Sequence, residues 1–262
     1  MKSTDGKSVA GGAGRTLSGA NNRDAYQFDR LSLSILMADM RFKEEDPGPG
    51  DFVPEAHLTL QDGQALPLLD PSGATLTLLV FGSSTCPMTD NAVPGLVKLY
   101  KSYGDRVRFL MVNVREAHPG RNAPQPHSDM DKMVRARVLQ DLHGLPFPVA
   151  IDDVAGTLHR ALGTKPNSAY LISPTGMILF RAHWANDSKA IEAAIRSALE
   201  HQPIRRPTSG GLLLPMMKML GDIAPVLDRA GRGAWSDMWW VAPPLAALAS
   251  VLSPFRPRNR TR

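Results

Sequence analysis

The chain has 262 residues, 43% of them hydrophobic, a net charge of +5 and a single cysteine. That length supports one well-cored domain with extensions, and one cysteine excludes an internal disulfide framework. Residues 201–262 carry nine Lys/Arg against three Asp/Glu, leaving the remainder at −1, and a near-neutral body with a basic tail argues against a nucleic-acid-binding fold.

Residues 1–24 are small, polar and poor in aromatics, a composition expected to be disordered. They hold no apolar run long enough for a secretory signal, so the expected location is cytoplasmic. Residues 26–42 place Phe28, Leu31, Ile35, Leu36 and Met40 near helical spacing and predict a helix. EEDPGPGDFVP (44–54) reads as a linker. These features make residues 1–50 an N-terminal extension.

A compact domain follows over residues 51–202. HLTL (57–60) and the return after DGQ predict a short hairpin, and TLTLLVF (75–81) a central strand. Residues 90–103 predict a helix, RVRFLMVNV (106–114) a second strand, and 115–128 a loop with three prolines. Loops of that length inside compact domains are often functional. The segment 130–144 predicts a helix closed by Gly144. A strand at 147–152, a short helix at 154–162, a hairpin over 168–184 and a helix at 187–200 complete the domain. Strands alternating with helices, then a hairpin and a helix, indicate an α/β domain with a mixed central sheet.

Residues 203–262 form a basic, Trp-rich, partly apolar C-terminal extension. No charged residue occurs from Met238 to Phe255, Trp235, Trp239 and Trp240 cluster near the start of this stretch, and Arg256, Arg258, Arg260 and Arg262 follow it. Such a segment suits a membrane interface. Pro243-Pro244 argues against a simple spanning helix. Packing on the domain or on a second copy of the chain, and a merely solvated basic end, are the other readings.

Cys86 lies in FGSSTCPMT (81–89), between a predicted strand and a predicted helix. At such a junction, backbone N–H groups and the helix dipole stabilise a thiolate. Pro87 suits the first helical position. The Thr85 and Thr89 hydroxyls are expected to donate to the sulfur, whereas Asp90 raises the thiol's pKa. These residues point to a reactive nucleophile rather than an inert packing cysteine. His118 has the right ordinary pKa for a general acid or base, and Glu116 is placed to orient its ring or loop. The remaining histidines show no metal-ligand spacing, so neither a metal nor another bound cofactor is expected. His127-Ser128-Asp129 cannot take triad geometry. His183 and Trp184 end a hairpin strand, with a place at a pocket lip as a lesser reading, and for Arg181 on the same hairpin the lesser reading is stabilising a peroxide or carboxylate.

The strand–Cys–helix arrangement, the later βαββα order and Pro166 ahead of SAYLIS together resemble the thioredoxin-like fold. That resemblance gives Pro166 the role of the proline, usually cis, that packs beside the active cysteine. Thr89 replaces the second cysteine of the usual CxxC pair. Within that fold, GSSTCP (82–87), REAHP (115–119) and PNSAYLI (166–172) are similar to segments of the iodothyronine deiodinases, over roughly residues 50–200. Cys86 stands where those enzymes have selenocysteine, and Ser84 where some carry a further cysteine. The Asp-Gly-Trp that follows the family's histidine is absent, and residues 119–128 read PGRNAPQPHS.

The resemblance implies a single-cysteine oxidoreductase that reductively dehalogenates an iodinated aromatic. Cys86 would be the nucleophile, His118 would handle the proton and an external thiol would be the reductant. Two alternatives accompany it. One is a one-cysteine thiol peroxidase, although Val80 stands where peroxiredoxins carry a proline. The other is a non-catalytic scaffold whose tail docks on a membrane or partner. The expected partners are a small-molecule substrate, a thiol reductant, and a membrane surface or second copy through residues 203–262, with no nucleic acid.

Overall fold

A computed structural model describes residues 26–209 and 213–252. The disorder expected of residues 1–24 and the four terminal arginines lie outside them. In chain order the elements are α1 (Leu33–Asp39), β1 (His57–Leu60), β2 (Ala65–Pro67), β3 (Leu76–Gly82), α2 (Pro87–Tyr103), β4 (Val107–Asn113), α3 (Asp129–His143), β5 (Val149–Ile151), α4 (Thr157–Ala161), β6 (Ala169–Ile172), β7 (Ile178–Ala182) and α5 (Ser188–Leu199). Beyond residue 212 come α6 (Leu213–Lys218), α7 (Leu220–Ala230), α8 (Ala234–Val241) and α9 (Pro243–Leu252).

The strands form one sheet in the order β2-β1-β5-β4-β3-β6-β7. β3, β4 and β5 run parallel, and the outer pairings are antiparallel. This is the mixed sheet expected from the sequence, and the fold is thioredoxin-like. Side chains alternate across each strand. On one face Leu78, Val80, Phe109, Met111 and Leu171 pack with residues of α2, α3 and α5. On the other, Leu79, Phe81, Leu110, Val112 and Tyr170 pack with Leu158 and Leu162 around α4. Burial on both faces explains why β3 and β4 are apolar on consecutive positions, Leu78–Phe81 and Phe109–Val112, rather than in alternation.

Helix ends follow local chemistry. Ser128 caps α3 by accepting from the Asp131 N–H at 3.1 Å. Gly144 ends that helix in the left-handed region, at φ 55°. The helix predicted over 26–42 is confined to Leu33–Asp39. Tertiary bonds hold the preceding residues out of it. The Tyr26 hydroxyl meets His159 Nδ1 at 2.7 Å, and the Leu31 N–H donates to Asp237 at 2.8 Å. Ser32 then caps the helix.

The C-terminal helices pack on the domain. α7 lies against α2. Small residues Ala224, Ala230, Ala234, Ala246 and Ala249 let α7, α8 and α9 approach closely around Leu227 and Met238. No helix among the described residues is long and apolar enough to cross a membrane. Trp240 is 87% exposed.

Candidate active site

Residues 83–86 carry the chain from β3 into α2, beside the loop that leaves β4. Cys86 is the N-cap of α2, with Pro87 in the first turn as expected. Glu116, in the adjacent loop, ties the two segments together. Its Oε2 accepts from the Thr85 N–H at 3.1 Å, the Thr85 hydroxyl at 2.6 Å and the Ser84 hydroxyl at 3.2 Å. The Thr85 oxygen in turn accepts from the His118 N–H at 3.2 Å. Gln125 closes the loop by accepting from the Glu116 N–H at 2.9 Å and donating to its carbonyl at 2.8 Å. A fully buried carboxylate therefore sets the backbone positions of both the cysteine and the histidine.

One expectation is corrected here and one is narrowed. The Thr85 hydroxyl donates to Glu116 rather than to the sulfur, because the buried carboxylate is the stronger acceptor. Glu116 does not orient the His118 ring, whose Nδ1 has no hydrogen-bond partner among the described residues. It acts on the His118 backbone through Thr85. Thr89, through its hydroxyl and N–H, pulls the Cys86 pKa down. It also accepts from the Ser83 N–H at 3.3 Å and the Asn167 amide at 3.4 Å.

The thiol is buried. Cys86 is 2% exposed, and burial pushes its pKa up to about 11 despite the Thr89 and Met88 donors that favour a thiolate, with Asp90 adding a smaller rise. The expected net activation by the helix end is thus outweighed by desolvation. Burial likewise lowers the His118 pKa to about 4, against a smaller upward pull from Asp237, so the imidazole is neutral at pH 7.

Cys86, His118 and Pro166 all line one cavity of about 150 Å³. Pro166 reaches this position with a trans peptide bond, since no described residue has a cis one. The next residue bonds to both neighbouring segments. Asn167 donates to the Phe81 carbonyl at 3.0 Å and its carbonyl accepts from the Ala185 N–H at 2.9 Å. Trp184 packs against Cys86. Arg181 does not enter the site, because its guanidinium is held by the Asp46 and Pro47 carbonyls at 2.9 and 2.8 Å. His183 packs its ring against Phe42. Among the described residues no cluster of His, Cys, Asp and Glu is suited to hold a metal.

Three features escaped the sequence reading. Lys165 is 1% exposed and has no ion-pair partner among the described residues. Its Nζ donates to the Asp39 and Met40 carbonyls at 3.2 and 2.9 Å and lies 3.6 Å from the Trp184 ring centroid. Burial lowers its pKa to about 7, against an upward pull from Asp39 and a smaller one from Cys86. The signal for Lys165 was its place beside Pro166.

The second feature is the covering of the cavity by the C-terminal helices. Met216, Met219, Ile223, Met238 and Leu245 supply part of its wall. Arg229 of α7 donates twice to the Ser84 carbonyl, at 3.0 and 2.8 Å, and to Asp90 at 2.8 Å. The third is Gly120, just past the histidine. A Cβ there would lie 2.4 Å from the Ala230 carbonyl oxygen. Its absence lets Arg121 and Asn122 donate backbone N–H groups to Arg232 and Ala230 at 2.8 and 2.9 Å.

Comparisons with known proteins agree with this architecture. A family model described as iodothyronine deiodinase matches residues 15–202. Human thyroxine 5-deiodinase is 29% identical over 163 residues, 58% of this chain and 52% of that protein. The chain therefore spans about half the length of that relative. Among solved structures, an uncharacterized conserved protein from Geobacillus kaustophilus aligns with a TM-score of 0.51 at 21% identity, covering 63% of this chain and 90% of the other. A hypothetical protein from Sinorhizobium meliloti 1021 aligns at 0.50 and 16%, covering 63% and 93%. These two likenesses speak to the fold alone. The family match, extending over the whole sheet and the Cys86 loop, shows that the chain belongs to the iodothyronine deiodinase family.

Proposed function

We propose that the protein is a thioredoxin-fold oxidoreductase in which Cys86 reduces a halogenated aromatic and an external thiol restores it. The observation that carries this reading is the shared cavity of Cys86 and His118, whose loops Glu116 locks together. Neutral His118 takes the Cys86 proton, the thiolate attacks the iodine of Ar–I and forms Cys–S–I, and the carbon takes a proton from the resulting imidazolium or from solvent. A thiol RSH then displaces iodide to give Cys–S–S–R. A second RSH releases RSSR and regenerates the Cys86 thiol. The net change is Ar–I plus two RSH to Ar–H, HI and RSSR. Lys165 supplies the positive charge that the thiolate needs inside an apolar wall, where an unpaired anion is costly.

Iodide release from an iodinated phenol, run beside peroxide consumption with the same thiol, tests the reading. Cys86→Ser should abolish the first activity, and His118→Ala should lower it by on the order of 10²-fold for a lost acid–base group. Iodide release that survives in the serine variant ends the mechanism. The raised thiol pKa and near-complete burial favour a second reading, a non-catalytic thioredoxin-like scaffold. Slow alkylation of Cys86 at all pH values below its ordinary range, with no iodide release, would decide for the scaffold.

A further inference from the structure

The wall of the Cys86 cavity has a chemistry of its own. Six of the chain's twelve methionines line it: Met37, Met40, Met88, Met216, Met219 and Met238. Their thioethers are polarisable and their side chains bend to fit irregular shapes. Trp184 adds an aromatic surface. The ionisable residues on this wall are Cys86, Asp39 and His118. Asp39 is already engaged by Arg115 in a buried pair, and His118 is neutral. Lys165 does not line the wall and its Nζ is held by the Asp39 and Met40 carbonyls, so a charged ligand group would meet no free opposite charge on the wall and its desolvation would go uncompensated. The size is equally restrictive. A cavity of about 150 Å³ lined by aliphatic side chains holds benzene in a well-studied protein, and the Cys86 cavity is of that volume. Its rim lies at α1, where Met37 is 54% exposed, so a ligand has a route in beside a flexible side chain.

We infer that the Cys86 cavity takes a single uncharged aromatic ring bearing a polarisable halogen, and that it disfavours a ring carrying a charged amino-acid group. This inference rests on the proposed role of Cys86 as the nucleophile and names the substrate class of that site. The methionine wall and Trp184 contact the ring and the halogen, and Cys86 meets the halogen from the helix end. The C-terminal helices act as a specificity element, because they provide five of the wall's positions: Met216, Met219, Ile223, Met238 and Leu245.

The test uses the full chain carrying Cys86→Ser, so that binding is read without turnover. 4-Iodophenol and 3-iodotyrosine are titrated at pH 7 by calorimetry, with quenching of tryptophan fluorescence by iodine as a second readout. The expected result is saturable binding of 4-iodophenol at least tenfold tighter than that of 3-iodotyrosine. Two filling substitutions on different elements, Ala117→Leu and Met219→Phe, should each weaken 4-iodophenol at least tenfold while leaving the far-ultraviolet circular dichroism unchanged. Equal or tighter binding of 3-iodotyrosine, no saturable binding of 4-iodophenol, or indifference to both filling substitutions in folded protein would overturn the inference. Wild-type turnover separates the two claims. Bound 4-iodophenol that releases no iodide refutes the reaction and leaves the cavity assignment standing. Faster iodide release from 3-iodotyrosine than from 4-iodophenol refutes the cavity assignment and leaves the reaction standing.

Discussion

Replacing Glu116 by alanine removes the one acceptor that serves the Thr85 N–H, the Thr85 hydroxyl and the Ser84 hydroxyl. All three donors are buried. At ~1 kcal/mol net for each lost hydrogen bond, Glu116→Ala should destabilise the protein by about 3 kcal/mol. Glu116→Gln keeps an oxygen for the same donors and removes a buried charge, so its loss should stay under about 1 kcal/mol. The pH dependence separates the two effects. Burial raises the Glu116 pKa. A carboxyl raised on folding favours the native state below its ordinary pKa, and that contribution fades as the pH rises through the folded value. Glu116→Gln should therefore gain stability relative to wild type as the pH rises from acid to neutral. Equilibrium urea unfolding at several pH values, followed by circular dichroism, measures both. An alanine variant with the wild-type midpoint and slope would refute the idea that this carboxylate holds the cysteine and histidine loops.

The His118 pKa falls from 6.5 to about 4 on folding, so its contribution is present above 6.5 and is lost as the pH drops toward 4. The stability gap between wild type and His118→Leu should accordingly shift by about 3 kcal/mol between pH 7 and pH 4, at 1.36 kcal/mol per pKa unit. Asp39, raised to about 6 by burial, works in the opposite direction, and subtracting the variant's curve removes it. Lys165→Met should raise the pH midpoint of Cys86 alkylation and slow the reaction at pH 7 by roughly tenfold, the loss expected when a thiolate's nearby cation is removed; an unchanged profile would deny it the counter-charge role. Arg229→Met should increase iodoacetamide access to Cys86, because it removes the bonds from α7 to Ser84 and Asp90. Unaltered labelling would show that these bonds do not hold the cover in place.

The domain was legible in the sequence wherever one local pattern carried the information. The apolar runs at 75–81 and 106–114 could only be strands buried on two faces, and Gly144 marked a helix end because a left-handed residue is needed there. GSSTCP and REAHP located the cysteine and histidine loops, since each is a short contiguous segment whose chemistry lies in its own residues. What those residues bond to was not legible. Thr85 turned from the sulfur to Glu116 because a carboxylate 31 positions away is buried beside it. Lys165 came to lie over Trp184, which packs on Cys86, only when β6 folded against β3. The basic, tryptophan-rich tail read equally well as a membrane segment or a packed one, because its composition is apolar in either case. Tertiary contacts placed its described helices over the cavity. Charge state followed the same division. The sequence determined which groups can ionise, whereas the extent of their burial, a sum over residues distant in the chain, decided that the thiol and imidazole are held neutral.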